Sequence, residues 1–554
     1  MMSQPLMLTC LICIISIVFC EETNYRDVNI LQGRVRGYGE GNIFGFYSIL
    51  YATVPTGRDF YKESLPPPTW NTIFNATEQN ILCQQPIVVD KLPPFGYQIK
   101  EQCLIVNIFV PKNITEDLPV VVYVHGGGFQ IGSGNTYTPK KLVGTGKVIA
   151  ITFNYRLGPQ GFLCLGTDRA PGNAAMKDMV ALLKWVQNNI NYFGGNPKEV
   201  TIAGYSAGSA AVDVLLLSKM TDGLFNKVIV ESGSNLNPFS VQIDPLENAK
   251  WFAKSFGFND TNNIAALEEF YFNTPNEFLA AHTSTLLART DTALIFAPCV
   301  ERNLGQDRLL DKSPAELLES GNFKKLPLLY GITDYEGLFH IDKFEEWKLK
   351  MNENFLYFVP QDIGHNKSDR LKLAELIKRY YFGNEIVSDK NILKYIEFSS
   401  DVNIKYGTMR SARLQLKAGN SQVYLYDFTF VDDSEPYIKH TQIRGSAHCA
   451  QTVTVLDSYI DEDKLSNKHK RMKAITRQLW VNFITYGKPV PEGFNFPSWP
   501  PMTSEMSYMI LNTTLEYKKR FVYENMKFWD DIINKYYNYP SAPNPNVDGS
   551  YIFS

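Results

Sequence analysis

The sequence predicts an α/β fold: one large, mainly parallel sheet with helices on both faces. Two observations carry that expectation. Short β-branched runs alternate with segments of helical periodicity through the first half of the chain. The 554 residues are 44% hydrophobic and 20% charged, close to globular averages, so a sizeable core is available and intrinsic disorder is not the default. Residues 118–124 (Leu-Pro-Val-Val-Val-Tyr-Val) and 147–153 (Lys-Val-Ile-Ala-Ile-Thr-Phe) are short runs rich in β-branched residues, of the kind buried on both sides of a parallel sheet. A helix is expected from about 173 to 189, a strand at 200–203, a helix from Ala207 and a strand at 227–230. Further strands are expected at 326–330 and 423–428. The long helical or irregular stretches 248–323 and 339–418 are expected to cover the carboxyl edge of the sheet, where open α/β sheets bind ligands. No repeat and no linker divides the chain, so residues 21–554 read as one domain with a short irregular tail from about 540.

Residues 6–19 are almost unbroken apolar sequence, ending at Cys20 and followed by Glu21 and Glu22. The run is shorter than the roughly 20 apolar residues that span a bilayer, so residues 1–20 read as a signal peptide. No later run is long and apolar enough for an anchor, and a secreted, extracellular protein is expected. Sequons at Asn75, Asn113, Asn259, Asn366 and Asn512 are the candidate glycosylation sites. Beyond residue 20 the cysteines are Cys83, Cys103, Cys164, Cys299 and Cys449, an odd number, so at least one stays outside an intrachain pair. The expected bridge is Cys83 to Cys103, closing a loop of about 20 residues worth ~3 kcal/mol on the chain-entropy model; the other three stay unassigned. The net charge of −3 leaves no basic field for nucleic acid. Without C-x-x-C or H-E-x-x-H spacing, no metal site is expected.

Gly204-Tyr205-Ser206-Ala207-Gly208 follows an expected strand and opens an expected helix. That is the setting of the G-x-S-x-G turn, in which glycines permit a strained bend that lifts a serine hydroxyl above the sheet. Upstream, His125-Gly126-Gly127-Gly128-Phe129 ends a strand with three glycines whose N–H groups can approach a developing oxyanion. No phosphate-loop pattern completes itself nearby.

The sixteen residues from Phe193 to Gly208 resemble the serine signature of the type-B carboxylesterase and cholinesterase family. Similar agreement appears at Glu101–Ile108, Asn154–Gly158, Pro171–Asn173, Glu231–Ser234 and Trp480–Phe483, so the likeness runs from about Leu31 to Trp529, in a style closest to insect secreted carboxylesterases. It implies the α/β-hydrolase fold and a catalytic order of Ser206, Glu336 and His448. Glu336 is the Glu before Gly in Gly331-Ile-Thr-Asp-Tyr-Glu336-Gly337, with Asp334 as a local rival read as a solvated loop charge. His448 fits the Gly-x-x-His pattern from Gly445, while His282, His340, His365, His440 and His469 read as surface or packing residues and His125 as support for the glycine loop. The resemblance also implies oxyanion donors at the backbone N–H groups of Gly127, Gly128 and Ala207, and a small-molecule ester substrate with no cofactor.

Departures from the family bear on substrate. The loop from Cys83 to Cys103 has no Trp to hold a choline ammonium, and Tyr205 stands where cholinesterases carry Glu and juvenile hormone esterases usually Gln. Tyr205 and Phe239, the latter in place of a common acyl-pocket Trp, are the pocket candidates. His448 is followed by Cys-Ala-Gln-Thr-Val where an acidic residue is common. The family's further disulfide has no expected candidates, since no Cys lies between Cys164 and Cys299. The expected function is hydrolysis of small to medium lipophilic esters through an acyl-enzyme. A catalytically weak adhesion or binding protein and a slow-turnover scavenger are the rivals, and oligomeric state is left open.

Overall fold

A computed structural model describes residues 24–87, 96–283, 289–458 and 462–545. The expected signal peptide lies outside them, as does the end of the tail. Fifteen strands occur among the described residues: β1 Tyr25–Ile30, β2 Gly33–Glu40, β3 Ile43–Leu50, β4 Phe74–Asn75, β5 Ile81–Leu82, β6 Gln98–Ile99, β7 Ile105–Pro111, β8 Leu118–Val124, β9 Ile149–Phe153, β10 Gly195–Tyr205, β11 Lys227–Glu231, β12 Leu328–Thr333, β13 Val423–Phe428, β14 Tyr508–Leu511 and β15 Glu516–Lys518. All but β5 and β6 join one sheet in the order β1-β2-β3-β7-β9-β8-β10-β11-β12-β13-β14-β15, with β4 against β2. From β9 to β14 every neighbouring pair is parallel. The flanks β1-β2-β3-β7-β9 and β14-β15 pair antiparallel, which makes the sheet mixed, with the predicted strands forming its parallel centre.

Side chains of the central strands alternate between two apolar clusters, as a sheet covered on both faces requires. Val120, Val122, Val124, Ile202, Val228, Val230 and Tyr330 face one, shared with the helices Ala174–Asn189 and Ala207–Leu217. Val121, Tyr123, Ala203, Ile229 and Leu329 face the other, with Leu479, Trp480 and Phe483 of the helix Asn467–Tyr486. Because β10, β12 and β13 run parallel, their carboxyl ends open on the same edge, and the segments carrying Ser206, Glu336 and His448 leave from those ends. The long stretches do cover that edge: Thr292 and Leu294 from one, and His340, Ser399 and Ile404 from the other, line the pocket there.

Cys83 and Cys103 are disulfide-bonded as expected. A second bridge joins Cys164 to Cys299, two of the three cysteines that the sequence left unassigned. The two thiols meet across Gly172 (φ 106°), where a Cβ would stand 2.5 Å from Cys299 Sγ and 2.6 Å from Cys164 Sγ. Cys449 lies outside both bridges.

Candidate active site

Strand β10 ends at Tyr205 and the next helix starts at Ala207, so Ser206 alone makes the turn, at φ 54° and ψ −126°. A serine in this region is strained, and the neighbouring glycines are what allow the bend. A Cβ on Gly204 would lie 2.5 Å from the Gly208 carbonyl group, and one on Gly233 would lie 2.4 Å from Ser206 O. The Ser206 N–H donates to Glu231 O at 2.9 Å, tying the turn to the end of β11.

The three predicted residues meet. His448 Nε2 is 2.9 Å from Ser206 Oγ, and His448 Nδ1 is 2.6 Å from Glu336 Oε2. Glu336 is fully buried, and its other oxygen, Oε1, accepts from the Thr333 N–H at 2.8 Å and the Ser232 hydroxyl at 2.7 Å. Ser232 in turn accepts from the Gln451 amide at 2.8 Å. A carboxylate held this way selects the tautomer with the proton on Nδ1, leaving the Nε2 lone pair for the serine hydroxyl. Ser232 and Gln451 both stand in segments noted in the sequence, Glu231–Ser234 and the Cys-Ala-Gln-Thr-Val run, but nothing in one chain assigns them to the acid.

Asp334 is not a solvated loop charge. It is half-buried, and burial, followed by the nearby Asp427, pushes its carboxyl up to about 7. Its Oδ1 accepts from the Ser446 N–H at 2.8 Å, and the Tyr335 N–H donates to Ser446 O at 3.2 Å, so this loop pins the segment two residues before His448. A raised carboxylate pKa means that the folded state binds more protons than the unfolded one between about pH 4 and 7. This group's contribution therefore favours folding at low pH and is lost as pH rises through 7. Asp334→Asn keeps the acceptor and removes the charge. Its melting temperature is expected to exceed that of the wild type at pH 8, by the equivalent of about 1–2 kcal/mol after allowing for partial exposure, and to match it near pH 4. A thermal scan across that range checks it.

The glycine loop lies against the serine turn: a Cβ on Gly126 would stand 2.7 Å from Tyr205 O. Gly127 (φ 112°) folds over Ile131, whose carbonyl oxygen lies 2.1 Å from where its Cβ would be. Gly127 and Gly128 line the same pocket as Ser206, and Ala207 heads the helix beside it. His125 is buried and supports this loop. Its Nδ1 lies 2.8 Å from Gly126 O, its ring stacks on Tyr155 at 4.2 Å, and the Tyr155 hydroxyl donates to His125 O at 2.7 Å. Burial holds its pKa down to about 4, which leaves it neutral.

The pocket over Ser206 has a volume of about 280 Å³. Tyr205 and Phe239 both line it; Tyr205 stacks on Tyr123 at 6.0 Å and meets Tyr137 edge-on at 5.6 Å. Phe339 covers His448 at 5.1 Å. His340, packed against Phe339 and Trp347, also lines the pocket. Behind the triad, Glu231 is buried and pushed up to about 7 by burial, while accepting from the Tyr426 and Thr452 hydroxyls. Among the described residues one grouping has metal-like spacing, Glu345, Asp389 and His440. Lys348 and Lys439 already hold Glu345 at 2.6 Å each, an ion-pair network.

Residues 24–529 match the model of the carboxylesterase family. The chain belongs to that family. It is a carboxylic-ester hydrolase with the α/β-hydrolase fold. This carboxylesterase is 31% identical to the juvenile hormone esterase of Heliothis virescens, over 90% of this chain and 93% of that protein. It is 30% identical to esterase FE4 of Myzus persicae, over 91% of each. Among solved structures it is similar to the juvenile hormone esterase of Manduca sexta with OTFP covalently attached. That match has a TM-score of 0.82 and 30% identity, covering 92% of this chain and 100% of that one.

Proposed function

We propose that this carboxylesterase is a secreted serine hydrolase that cleaves small to medium lipophilic esters through an acyl-enzyme on Ser206. The relay from Ser206 Oγ to His448 to the buried Glu336 carries the reading. His448 takes the hydroxyl proton as Ser206 attacks the ester carbonyl and returns it to the departing alcohol; water then repeats the sequence on the acyl-enzyme. Glu336 orients the ring and stabilises the imidazolium. The backbone N–H groups of Gly127, Gly128 and Ala207 receive the oxyanion, each donor worth about 10²–10³ in rate. The covalent OTFP on the Manduca relative supports chemistry of this kind.

A largely apolar pocket walled by Tyr205, Phe239 and Leu294 suits lipophilic esters, and Tyr205 offers no charge to a quaternary ammonium. Secretion rests on residues 1–20 and the sequons. Asn75, Asn113, Asn259 and Asn366 are exposed, whereas Asn512 is half-buried with its amide nitrogen donating to Thr429, which makes it the poorest acceptor of the five. Among the described residues no helix is long and apolar enough to cross a membrane.

The test is time-resolved hydrolysis of p-nitrophenyl esters from acetate to octanoate by the wild type and Ser206→Ala. Linear turnover by the wild type and a loss of at least about 10³-fold in the variant are expected. A burst equal to the enzyme followed by a slow phase would favour the scavenger, and full activity in the variant would overturn the assignment.

A further inference from the structure

One wall of the pocket is polar and takes no part in the steps above. His340 lies on the segment Glu336–Lys343, only 8% exposed, with its ring against Phe339 at 4.7 Å and Trp347 at 4.8 Å. It lines the pocket, yet neither ring nitrogen has a hydrogen-bond partner among the described residues. Both ring nitrogens reach the pocket space and are not sealed in protein, so a ligand there can complete their bonding. Burial, with the neighbouring His448 next, lowers its pKa to about 4, so at neutral pH the ring is uncharged and offers one donor and one acceptor.

A second feature adjoins it. The helices Ile392–Ser400 and Tyr406–Lys417 run on from one another through a π-turn at Asp401–Lys405. Such turns are rare and concentrate at functional sites. The neighbourhood of this one carries Ser399, Asn403 and Ile404 to the pocket wall. The Asn403 amide nitrogen is spent on Ser399, donating to its carbonyl at 2.8 Å and its hydroxyl oxygen at 3.3 Å. The Asn403 carbonyl oxygen and the Ser399 hydroxyl hydrogen are left without partners among the described residues. The helix abuts the His340 segment: the Gly337 N–H donates to Ser400 Oγ at 2.7 Å, and a Cβ on Gly337 would lie 2.9 Å from Ser399 Cβ. Among the described residues the one cation on the pocket lining, Arg289, is already paired with Asp291 at 2.5 and 2.9 Å.

We propose that His340, Ser399 and Asn403 form a subsite that hydrogen-bonds a second, neutral oxygen function of the substrate, a keto, ether or hydroxyl group remote from the scissile ester. The preferred substrates are then oxygenated lipophilic esters rather than plain alkyl esters or esters of charged acids. This rests on the ester-hydrolase reading of Ser206.

Two matched pairs test it: p-nitrophenyl levulinate against p-nitrophenyl pentanoate for the acyl side, and methoxyethyl butanoate against butyl butanoate for the alcohol side. The quantity read is the ratio of kcat/KM, oxygenated over alkyl, within each pair. His340→Phe is expected to lower that ratio about tenfold in at least one pair, the loss of one neutral hydrogen bond. His340→Gln, which keeps a donor and an acceptor, is expected to hold it within about threefold of the wild type. Asn403→Leu carries the same expectation as the phenylalanine variant and serves if that protein does not fold. Unchanged ratios in both pairs would overturn the subsite while alkyl-ester turnover upheld the Ser206 reading. A wild type inactive on every ester would overturn both.

Discussion

Glu336→Gln is expected to lower kcat/KM by roughly 10³–10⁴-fold with the fold retained. Glu336 makes three hydrogen bonds, all as acceptor: two at Oε1 from Thr333 N–H and Ser232, and one at Oε2 from His448. A glutamine has one acceptor oxygen, which the two donors at the Oε1 position claim. Its NH₂ then faces His448 Nδ1 and favours the tautomer protonated on Nε2, which cannot take the Ser206 proton. The variant should therefore melt close to the wild type while losing kcat. Glu336→Asp shortens the reach to the ring and should also fall, but less, because the acceptor pattern survives. Steady-state kinetics beside thermal melts separate the two cases; a glutamine variant with near-normal kcat would remove Glu336 from the mechanism.

The second large effect is on folding. Gly208→Ala is expected to yield little or no soluble, active protein. The added Cβ would lie 2.3 Å from Val124 O and 2.5 Å from His125 O, both backbone atoms at the end of β8. That strand is paired on both sides, to β9 and β10, so it has nowhere to move. A clash with fixed backbone belongs to the severe class of substitutions, above about 3–5 kcal/mol. Gly257→Ala is the control: its φ of 83° carries the strain of a left-handed residue, but nothing lies within 4 Å of the new methyl. It should lose only about 1 kcal/mol. Comparable soluble yields for the two variants would contradict this view of the serine turn.

What the sequence made legible follows from how local each signal was. The parallel centre of the sheet was readable because residues 118–124, 147–153 and 227–230 are short runs rich in β-branched residues, set between segments of helical periodicity. The flank β2, Gly-Arg-Val-Arg-Gly-Tyr-Gly-Glu, has no such run, and β14 is four residues long, so the antiparallel edges escaped notice. Glu336 and His448 were found through the motifs around them, whereas the burial of Asp334 comes from β13 and the Ser446 segment, both distant in the chain. The Cys164–Cys299 bridge spans 135 residues and depends on a glycine turn that brings the two sulfurs together. His340 illustrates the same limit. One histidine beside a catalytic motif carries no mark of facing a pocket until the π-turn helix closes over it.

The most direct measurement of the central claim is the mass of the intact protein after brief treatment with an organophosphate ester, followed by peptide mapping, for the wild type and Ser206→Ala. One phosphoryl adduct per wild-type chain is expected, located on Ser206 and formed in step with loss of esterase activity, and none on the variant. Inactivation of the wild type with the adduct on another residue, or ester turnover surviving complete modification of Ser206, would contradict it.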